Sequence, residues 1–232
     1  MDKKKIAVLT GAGVSAESGI STFRDSNGLW ETYRIEDVAT IEAWYKNREL
    51  VLDFYNQRRS QLKDCSPNLA HKLIADLQSK FDVCVVTQNV DDLHERAGSK
   101  SVIHLHGELT KARGESDNYY NCFEIGYKKL SLGDKSPSGS QLRPHIVWFG
   151  EQVPELEKGA RAIEAADILV VIGTSLVVYP AAGLISCTKP GCKIYLIDPN
   201  DVSAAVEHTH IKEKASVGMK QLYDIITNIN NN

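Results

Sequence analysis

Apolar residues occur along the chain in short continuous runs rather than in alternation with polar residues. Continuous runs of this kind are typical of parallel strands that are buried on both faces of a sheet. They predict six strands, at Lys5–Thr10, Asp82–Thr87, Val102–Leu105, Ile146–Trp148, Ile168–Ile172 and Lys193–Ile197.

Apolar residues at helical spacing separate several of these strands. One such segment follows the pair Ser66-Pro67 and carries on one face Leu69, Leu73, Ile74 and Leu77. We expect Ser66 to cap this helix and Pro67 to occupy its first turn. Two further helices are predicted at 155–166 and 217–226. The alternation of strands and helices predicts an α/β fold with a Rossmann-type, doubly wound parallel sheet.

Two segments interrupt this alternation, at about 31–65 and 107–144. The first has the pattern of helices with a mixed aromatic and charged surface, and the second is polar and rich in Gly, Ser and Asp. Because a structureless loop of that length is unusual inside a compact domain, we expect a small second domain. It is inserted into a core of about 1–30, 66–106 and 145–232.

Composition and charge narrow the possible functions. The 232 residues are 42% hydrophobic and 25% charged, which is typical of a globular protein, and the net charge of -3 argues against nucleic acid or a membrane surface as partner. The apolar run after Lys3–Lys5 is too short for a signal peptide, and no run approaches a membrane span. Five cysteines without a C-x-x-C pair indicate neither a disulfide framework nor a zinc ribbon, so we expect a reduced, cytoplasmic setting.

A glycine motif follows the first predicted strand. Gly11, Gly13 and Ala16 fit the spacing G-x-G-x-x-A, in which a tight turn, a close backbone approach and a helix N-terminus bind a nucleotide phosphate. Glycine at a strand–helix turn also occurs for steric reasons alone. Further along, Arg24 could bind a phosphate or be a solvated loop residue, and Phe23 could shield a cofactor or belong to the core.

Polar clusters follow three other predicted strands. Gln88, Asn89 and Asp91 suit ribose hydroxyls or a carboxamide, although Asn89 and Asp91 could instead cap the next helix. His104 and His106 share one face of a strand, as a pair at a sheet rim or as a source of a general base. No third ligand has a clear spacing, so we expect no metal here.

Two later turns are weaker candidates. Gly173-Thr174-Ser175 directly follows a buried strand and is either a second phosphate-facing turn or a plain strand-to-loop transition. Asp198 could accept a hydrogen bond from a ribose hydroxyl, but it also suits the turn before Pro199.

Together these motifs resemble the sirtuins, which are NAD-dependent protein lysine deacylases. The resemblance covers nearly all of 1–232 as one catalytic domain, apart from the segment 108–142. It is carried by the motifs 11–20, 23–24, 87–91, 105–107, 146–151 and 173–176, all in the order of the family. It implies a Rossmann-type NAD domain with a smaller domain, NAD as cofactor and an acyl-lysine protein or peptide as substrate.

The resemblance also implies roles for individual residues. His106 resembles the general base, and Asn89 and Asp91 resemble the residues that orient the nicotinamide ribose and carboxamide. Phe23 resembles the aromatic shield over the reactive sugar carbon. NAD-contacting positions are matched by Gly11, Ala12, Gly13, Ser15, Arg24, Gln88, Gly173, Thr174, Ser175 and Asp198. The segment that pairs with an extended peptide is matched by Val147, Trp148, Phe149, Gly150 and Glu151.

The acyl preference rests on Tyr55 and Arg58, which resemble the Tyr-x-x-Arg signature of sirtuins that remove acidic acyl groups. Three residues apart, the two side chains share a helix face, where a phenol and a guanidinium can bind a succinyl or malonyl carboxylate. Arg58 could instead be a surface helix residue. Acetyl removal is expected in either case.

The chain departs from the family pattern in its cysteines. Most sirtuins hold a zinc ion with four cysteines between the His-Gly and Trp-Phe-Gly-Glu motifs, whereas this interval contains only Cys122. A four-thiolate site is therefore impossible there, and we expect packing to hold the small domain, through Tyr119, Tyr120, Phe123 and Tyr127. At Asp198, where the family often has asparagine, a carboxylate should favour NAD over NADP.

Three other functions compete with the deacylase. An NAD glycohydrolase or ADP-ribosyltransferase would share the pocket but would not need the peptide-pairing segment. A catalytically idle NAD sensor would not need His106, Asn89 and Asp91. A dehydrogenase is disfavoured because no second strand ends in an acidic residue about 20 residues after the glycines.

Overall fold

Nine strands occur within residues 3–20 and 33–228, which are the residues that the computed structural model describes. They are β1 (Lys5–Thr10), β2 (Asp82–Thr87), β3 (Val102–His104), β4 (Gly107–Gly114), β5 (Phe123–Glu124), β6 (Leu142–Ile146), β7 (Ile168–Ile172), β8 (Lys193–Ile197) and β9 (Thr209–Ile211). The main sheet is parallel, with the order β3-β2-β1-β7-β8-β9. Numbered along the chain, its strands have the Rossmann order 3-2-1-4-5-6, which reverses between β1 and β7. The predicted α/β fold class is confirmed.

The register brings the carboxyl ends of the central strands to one edge of the sheet. Thr10 pairs with Thr87 on one side and with Ile172 on the other, and Ile172 pairs in turn with Ile197. Every residue of β7 is buried, as is all of β1 after Lys5, because helices cover both faces. The residues that follow these strands therefore meet in one crevice.

The helices are α1 (Gly13–Ala16), α2 (Ile35–Val38), α3 (Ile41–Lys46), α4 (Arg48–Asp64), α5 (Leu69–Asp76), α6 (Leu93–Arg96), α7 (Leu156–Glu164) and α8 (Ala215–Asn228), with 3₁₀ turns at Leu77–Ser79 and Ala181–Cys187. The predicted cap of α5 is wrong. The helix begins at Leu69, and its cap is Asn68, whose Oδ1 accepts from the N–H groups of Ala70 (2.9 Å) and His71 (3.4 Å).

A second, smaller unit contains β4, β5 and β6 as an antiparallel sheet in the order β5-β4-β6, packed on α2, α3 and α4. Its core holds four large aromatic residues, Trp44, Phe54, Tyr55 and Trp148. The prediction of a strand at Ile146–Trp148 is wrong, because β6 ends at Ile146 and belongs to this small sheet. Ile146 and Trp148 are buried in its core. The domain limits given above stay a prediction.

Candidate active site

Three glycines bring the turns after β1 and β7 into direct backbone contact. The Gly11 N–H donates to Ile172 O (3.1 Å) and the Gly13 N–H to Gly173 O (2.9 Å). A Cβ on Gly11 or Gly13 would lie 2.7 Å from the atoms of the other turn, and one on Gly173, whose φ is +65°, would lie 2.2 Å from the backbone N of Val14. These glycines are thus required by the contact between the turns themselves, at the point where the strand order reverses.

These two touching turns, called the glycine cradle below, lie at the position where a Rossmann sheet binds a dinucleotide. The amides of Gly11 and Gly13 are engaged within the protein, so the cradle offers its shape more than free N–H groups. The helix that follows has only four residues. The roles of Gly11, Ala12 and Gly13 in binding the pyrophosphate of NAD stay a prediction.

Ser15 joins two of the predicted catalytic residues beneath this cradle. Its hydroxyl donates to Asp91 Oδ2 (3.0 Å) and accepts from Asn89 Nδ2 (3.1 Å), and all three side chains are buried. Asp91 Oδ1 also accepts from the Leu93 N–H (3.1 Å) at the start of α6, whereas the Asn89 side chain takes no part in capping that helix. Burial raises the pKa of the Asp91 carboxyl, a change that these hydrogen bonds oppose.

Two buried histidines extend this group and were missed in the sequence. His71 Nε2 lies 3.4 Å from the Ser15 hydroxyl, and its ring contacts that of His94 with centroids 4.8 Å apart. His94 Nε2 lies 3.2 Å from the hydroxyl of Thr10. Burial lowers the pKa of His71 to about 4 and also lowers that of His94, so both are neutral near pH 7. Nothing in their spacing distinguishes them, except that His71 falls three residues after Asn68.

His106 has the protonation state that a general base requires. Its Nδ1 lies 3.0 Å from the backbone oxygen of Gln88, which can only accept, so the proton is on Nδ1 and the lone pair is on Nε2. Burial lowers the pKa of this imidazole, only partly opposed by the Gln88 contact. Gln88 also donates from Nε2 to Thr174 Oγ1 (3.1 Å), which joins the turns after β2 and β7.

His104 has a different environment, although the sequence pairs it with His106. β3 ends at His104, whose Nδ1 donates to Asn89 O (3.0 Å) and whose Nε2 lies 2.8 Å from Glu95 Oε1. Burial alone would lower its pKa, but the hydrogen bond and charge of Glu95 raise it overall. His104 therefore holds the backbone of Asn89 in place through a hydrogen bond. Of the two histidines, His106 is the one whose Nε2 can accept a proton.

The two weaker candidates also lie at the carboxyl edge. Thr174 Oγ1 accepts from the Leu176 N–H (3.3 Å), so Thr174 shapes the turn after β7, and Ser175 follows it there. Asp198 Oδ1 accepts from the Asn200 N–H (2.9 Å), as expected of a turn residue. The predicted contacts of Gly173, Thr174, Ser175 and Asp198 with NAD are not tested by these observations.

Tyr55 and Arg58 lie on α4, which faces Asp91. The Tyr55 hydroxyl oxygen accepts from Trp148 Nε1 (3.0 Å), and the Arg58 guanidinium carbon lies 5.9 Å from the Tyr55 ring centroid. Burial lowers the pKa of Arg58, while the nearby Tyr55 and Asp91 favour its charged form. Arg58 is therefore a partly desolvated cation close enough to Asp91 for their charges to interact.

The segment Val147–Glu151 connects the two units. The Val147 N–H donates to His106 O (2.9 Å), and the Phe149 backbone is bonded to Ala39 O (3.0 Å) and to the Ile41 N–H (3.1 Å). Glu151 accepts hydrogen bonds from both Arg143 Nη1 (2.7 Å) and Nη2 (2.8 Å). Its carboxylate therefore fixes the end of the segment to β6. The Phe149 side chain stays exposed beside Gly150, whose φ is +88°.

Phe23 and Arg24 lie outside the described residues. Within the described part of the chain, no three His, Cys, Asp or Glu side chains converge as a metal site would require. No helix in residues 3–20 and 33–228 is long and apolar enough to span a membrane.

Comparisons with known proteins agree with this geometry. A Sir2 family model matches residues 11–180. An NAD-dependent protein deacylase of Bacteroides thetaiotaomicron is 51% identical over 229 residues, which is 96% of this chain and 98% of that protein. One of Helicobacter pylori strain 26695 is 52% identical over 201 residues, 87% of each chain.

Solved structures give the same result. A Sir2 homologue in complex with NAD has a TM-score of 0.87 and 42% identity, covering 98% of this chain and 91% of that one. A Sir2 protein with a deacetylated peptide and an acetylated ADP-ribose has a TM-score of 0.78 and 29% identity, covering 96% of this chain and 94% of that one. With the family model matching well over half of its length and relatives about 50% identical, the chain belongs to the Sir2 family.

Proposed function

We propose that this NAD-dependent protein deacylase removes succinyl and malonyl groups as well as acetyl groups from protein lysines, using His106 as general base and Tyr55 with Arg58 as the acyl-selecting pair. The observation that carries the catalytic part is the neutral His106 imidazole beside the Ser15–Asn89–Asp91 group, at the reversal of the strand order. One water is consumed with the acyl-lysine and NAD, and the products are the free lysine, nicotinamide and O-acyl-ADP-ribose.

NAD, when bound, supplies the ribose carbon to which the acyl oxygen is transferred as nicotinamide leaves. Asn89 and Asp91 orient the nicotinamide end, and their buried hydrogen bonds through Ser15 fix them in advance of the reaction. His106 Nε2 accepts the proton of a ribose hydroxyl, a role that its pKa suits because the imidazole is neutral near pH 7. In Val147–Glu151 the N–H groups of Val147, Trp148 and Phe149 are bonded within the protein, so this segment would hold an extended acyl-lysine peptide through its remaining backbone groups and the exposed Phe149 side chain.

Tyr55 and Arg58 support the acidic acyl groups. Burial raises the pKa of the Tyr55 phenol to about 12, so the phenol keeps its hydrogen and can donate it to a carboxylate. Arg58 adds a positive charge that is partly withdrawn from water, where its attraction for a carboxylate is stronger. An acetyl group has no carboxylate and gains from neither.

Nicotinamide release tests this proposal. It is measured with no peptide, with acetyl-lysine peptide and with succinyl-lysine peptide, and mass spectrometry follows the peptide. We expect release only with acyl peptide and loss of at least 100-fold in His106→Ala, a scale typical of removing a general base. Tyr55→Phe should lower kcat/KM for the succinyl peptide about tenfold and leave the acetyl peptide within about twofold, since the lost hydrogen bond goes to a charged group.

The exposed Tyr45, changed to Phe, is the matched control for the phenol. Release without peptide would instead support a glycohydrolase. An unchanged ratio of succinyl to acetyl activity in Tyr55→Phe would contradict the acyl-selecting pair while leaving the deacylase intact.

A further inference from the structure

The Tyr55 hydroxyl has one fixed neighbour. The indole N–H of Trp148 donates to its oxygen at 3.0 Å, and each side chain is 2% exposed. A phenolic hydrogen lies near the ring plane in one of two positions, and the one facing Trp148 would meet the indole hydrogen. The Tyr55 hydrogen is therefore directed away from Trp148, and the phenol donates to no other side chain or backbone oxygen of the described residues.

The indole is itself held in place from the peptide-pairing segment. The Arg143 guanidinium carbon lies 3.6 Å from the Trp148 ring centroid, and both terminal nitrogens of Arg143 donate to Glu151. Glu151 also accepts from the Trp148 backbone N–H (2.8 Å). The ion pair between Arg143 and Glu151 thus holds the guanidinium against one face of the Trp148 ring.

We propose that Trp148 is a positioning residue for acyl selectivity, which directs the Tyr55 hydroxyl hydrogen toward the acyl group so that the phenol acts as a donor and prefers a carboxylate. This inference rests on the proposed role of Tyr55 and Arg58. It gives the segment Val147–Glu151 a second task, because Trp148 faces the core while its exposed neighbour Phe149 faces away from it. A succinyl or malonyl group offers the acceptor, and an acetyl group does not.

Trp148→Phe tests the inference, because phenylalanine keeps an aromatic ring and removes the N–H. We expect the succinyl peptide to bind about fivefold more weakly to this variant, which is the effect of one lost hydrogen bond. The change should appear both in the KM and in the Kd measured by calorimetry without NAD. Any loss from the peptide-pairing segment itself should affect both peptides equally, so the ratio of succinyl to acetyl affinity should fall about fivefold. If Trp148→Phe does not fold, benzothienylalanine at position 148 keeps the fused ring and replaces only the N–H.

Trp44→Phe is the matched control. Trp44 lies in the same core with its ring centroid 5.4 Å from that of Trp148, but its N–H donates to Glu115 Oε2 (3.0 Å). The control should not change the ratio of succinyl to acetyl affinity. In Tyr55→Phe, adding Trp148→Phe should cause no further loss, because the two residues act through one hydroxyl.

The outcomes separate this inference from the function on which it rests. If Tyr55→Phe lowers succinyl affinity but Trp148→Phe behaves like Trp44→Phe, the inference alone is overturned. An equal loss for both peptides in Trp148→Phe would also overturn it, because the role would then be structural. If Tyr55→Phe leaves the ratio unchanged, the proposed acyl-selecting pair fails and the inference falls with it.

Discussion

At the scale of single residues, neighbours decide which buried histidine carries a charge. His71, His94 and His106 are held neutral by burial, whereas His104 is favoured as a cation by Glu95. Among these four histidines, His106 combines a neutral ring with an Nε2 that makes no hydrogen bond to the described residues. The same residue type thus has different protonation preferences at different positions of one candidate site, and His106 is the one proposed as the base.

His71 makes stability depend on pH in one direction. Its pKa of about 4 in the folded chain is below the value of about 6.5 for an exposed histidine. Between these values the unfolded chain binds a proton that the folded chain does not, so stability is complete above pH 6.5 and falls as the pH falls toward 4. We expect the free energy of unfolding, measured with urea, to fall between pH 7.5 and pH 5.5. This fall should be about 1 kcal/mol smaller in His71→Gln than in the unaltered protein.

His208→Gln is the control for this measurement. His208 lies outside the buried group, with Nδ1 bonded to Val206 O (2.8 Å), and its replacement should leave the acid-induced loss unchanged. An equal loss in His71→Gln and the unaltered protein would contradict the assignment.

The sequence predicts most residues of the candidate site, but it does not predict the protonation states of their side chains. Polar residues that directly follow a predicted strand, such as His106, Asn89 and Asp91, can be recognised from the sequence alone. Whether His104 or His106 is neutral depends on Glu95 and on burial, which are tertiary. The hydrogen bond from Trp148 to Tyr55 joins residues 93 positions apart, and no spacing rule reaches that far.

At the scale of elements, the start of α5 is set by one side chain that also contacts the glycine turn. Besides capping the helix, Asn68 donates from Nδ2 to Val14 O (2.8 Å) and Ser18 Oγ (3.0 Å). The helix α5, which packs on β1, and the glycine turn after β1 are therefore joined by a single carboxamide.

Removing this carboxamide should destabilise the protein more than removing the hydroxyl expected at the cap. Asn68→Ala should lower the free energy of unfolding by about 1–2 kcal/mol, the usual range for a lost cap. Ser66 is exposed and makes no capping contact, so Ser66→Ala should change it by less than about 0.5 kcal/mol. Urea unfolding of the two variants decides the matter, and equal losses would argue against the assignment of the cap.

Strands were predictable where burial on both faces enforces apolar residues. The limits of β1, β2, β7 and β8 match the predicted ones, because helices cover both faces of the sheet at these strands. β4 and β6 were not predicted. They bury Arg113, Arg143 and His145, and the two arginines pair with Glu151, so ion pairing replaces the apolar pattern.

At the scale of the whole molecule, the small unit is held by packing and by short polar contacts. Near the tip of its sheet, Asp117 accepts from the Ser138 hydroxyl (2.6 Å) and from the Gly114 N–H (3.2 Å). Ser138 in turn contacts Ser136 (2.8 Å). A Cβ on Gly114 would lie 2.3 Å from Asp117 Oδ2, so the contact depends on that glycine.

Removal of metal should therefore have no effect on folding. Dialysis against EDTA should leave the melting temperature in calorimetry and the deacylase activity unchanged, whereas Asp117→Ala should lower the melting temperature because two donors lose their acceptor. Asp201→Ala, at an exposed site away from the small sheet, is the control. A drop in melting temperature with EDTA would instead reveal a structural metal.

The core of the small unit has a spectroscopic signal of its own, because it holds both of the tryptophans that the structure describes. Trp30 lies outside the described residues, and the other tryptophans, Trp44 and Trp148, both belong to the core of the small unit. In a Trp30→Phe variant, tryptophan fluorescence therefore follows the environment of that core, while circular dichroism follows the helices of the whole chain. During unfolding, coincident curves would show that the unit without zinc cysteines and the Rossmann sheet come apart as one cooperative body.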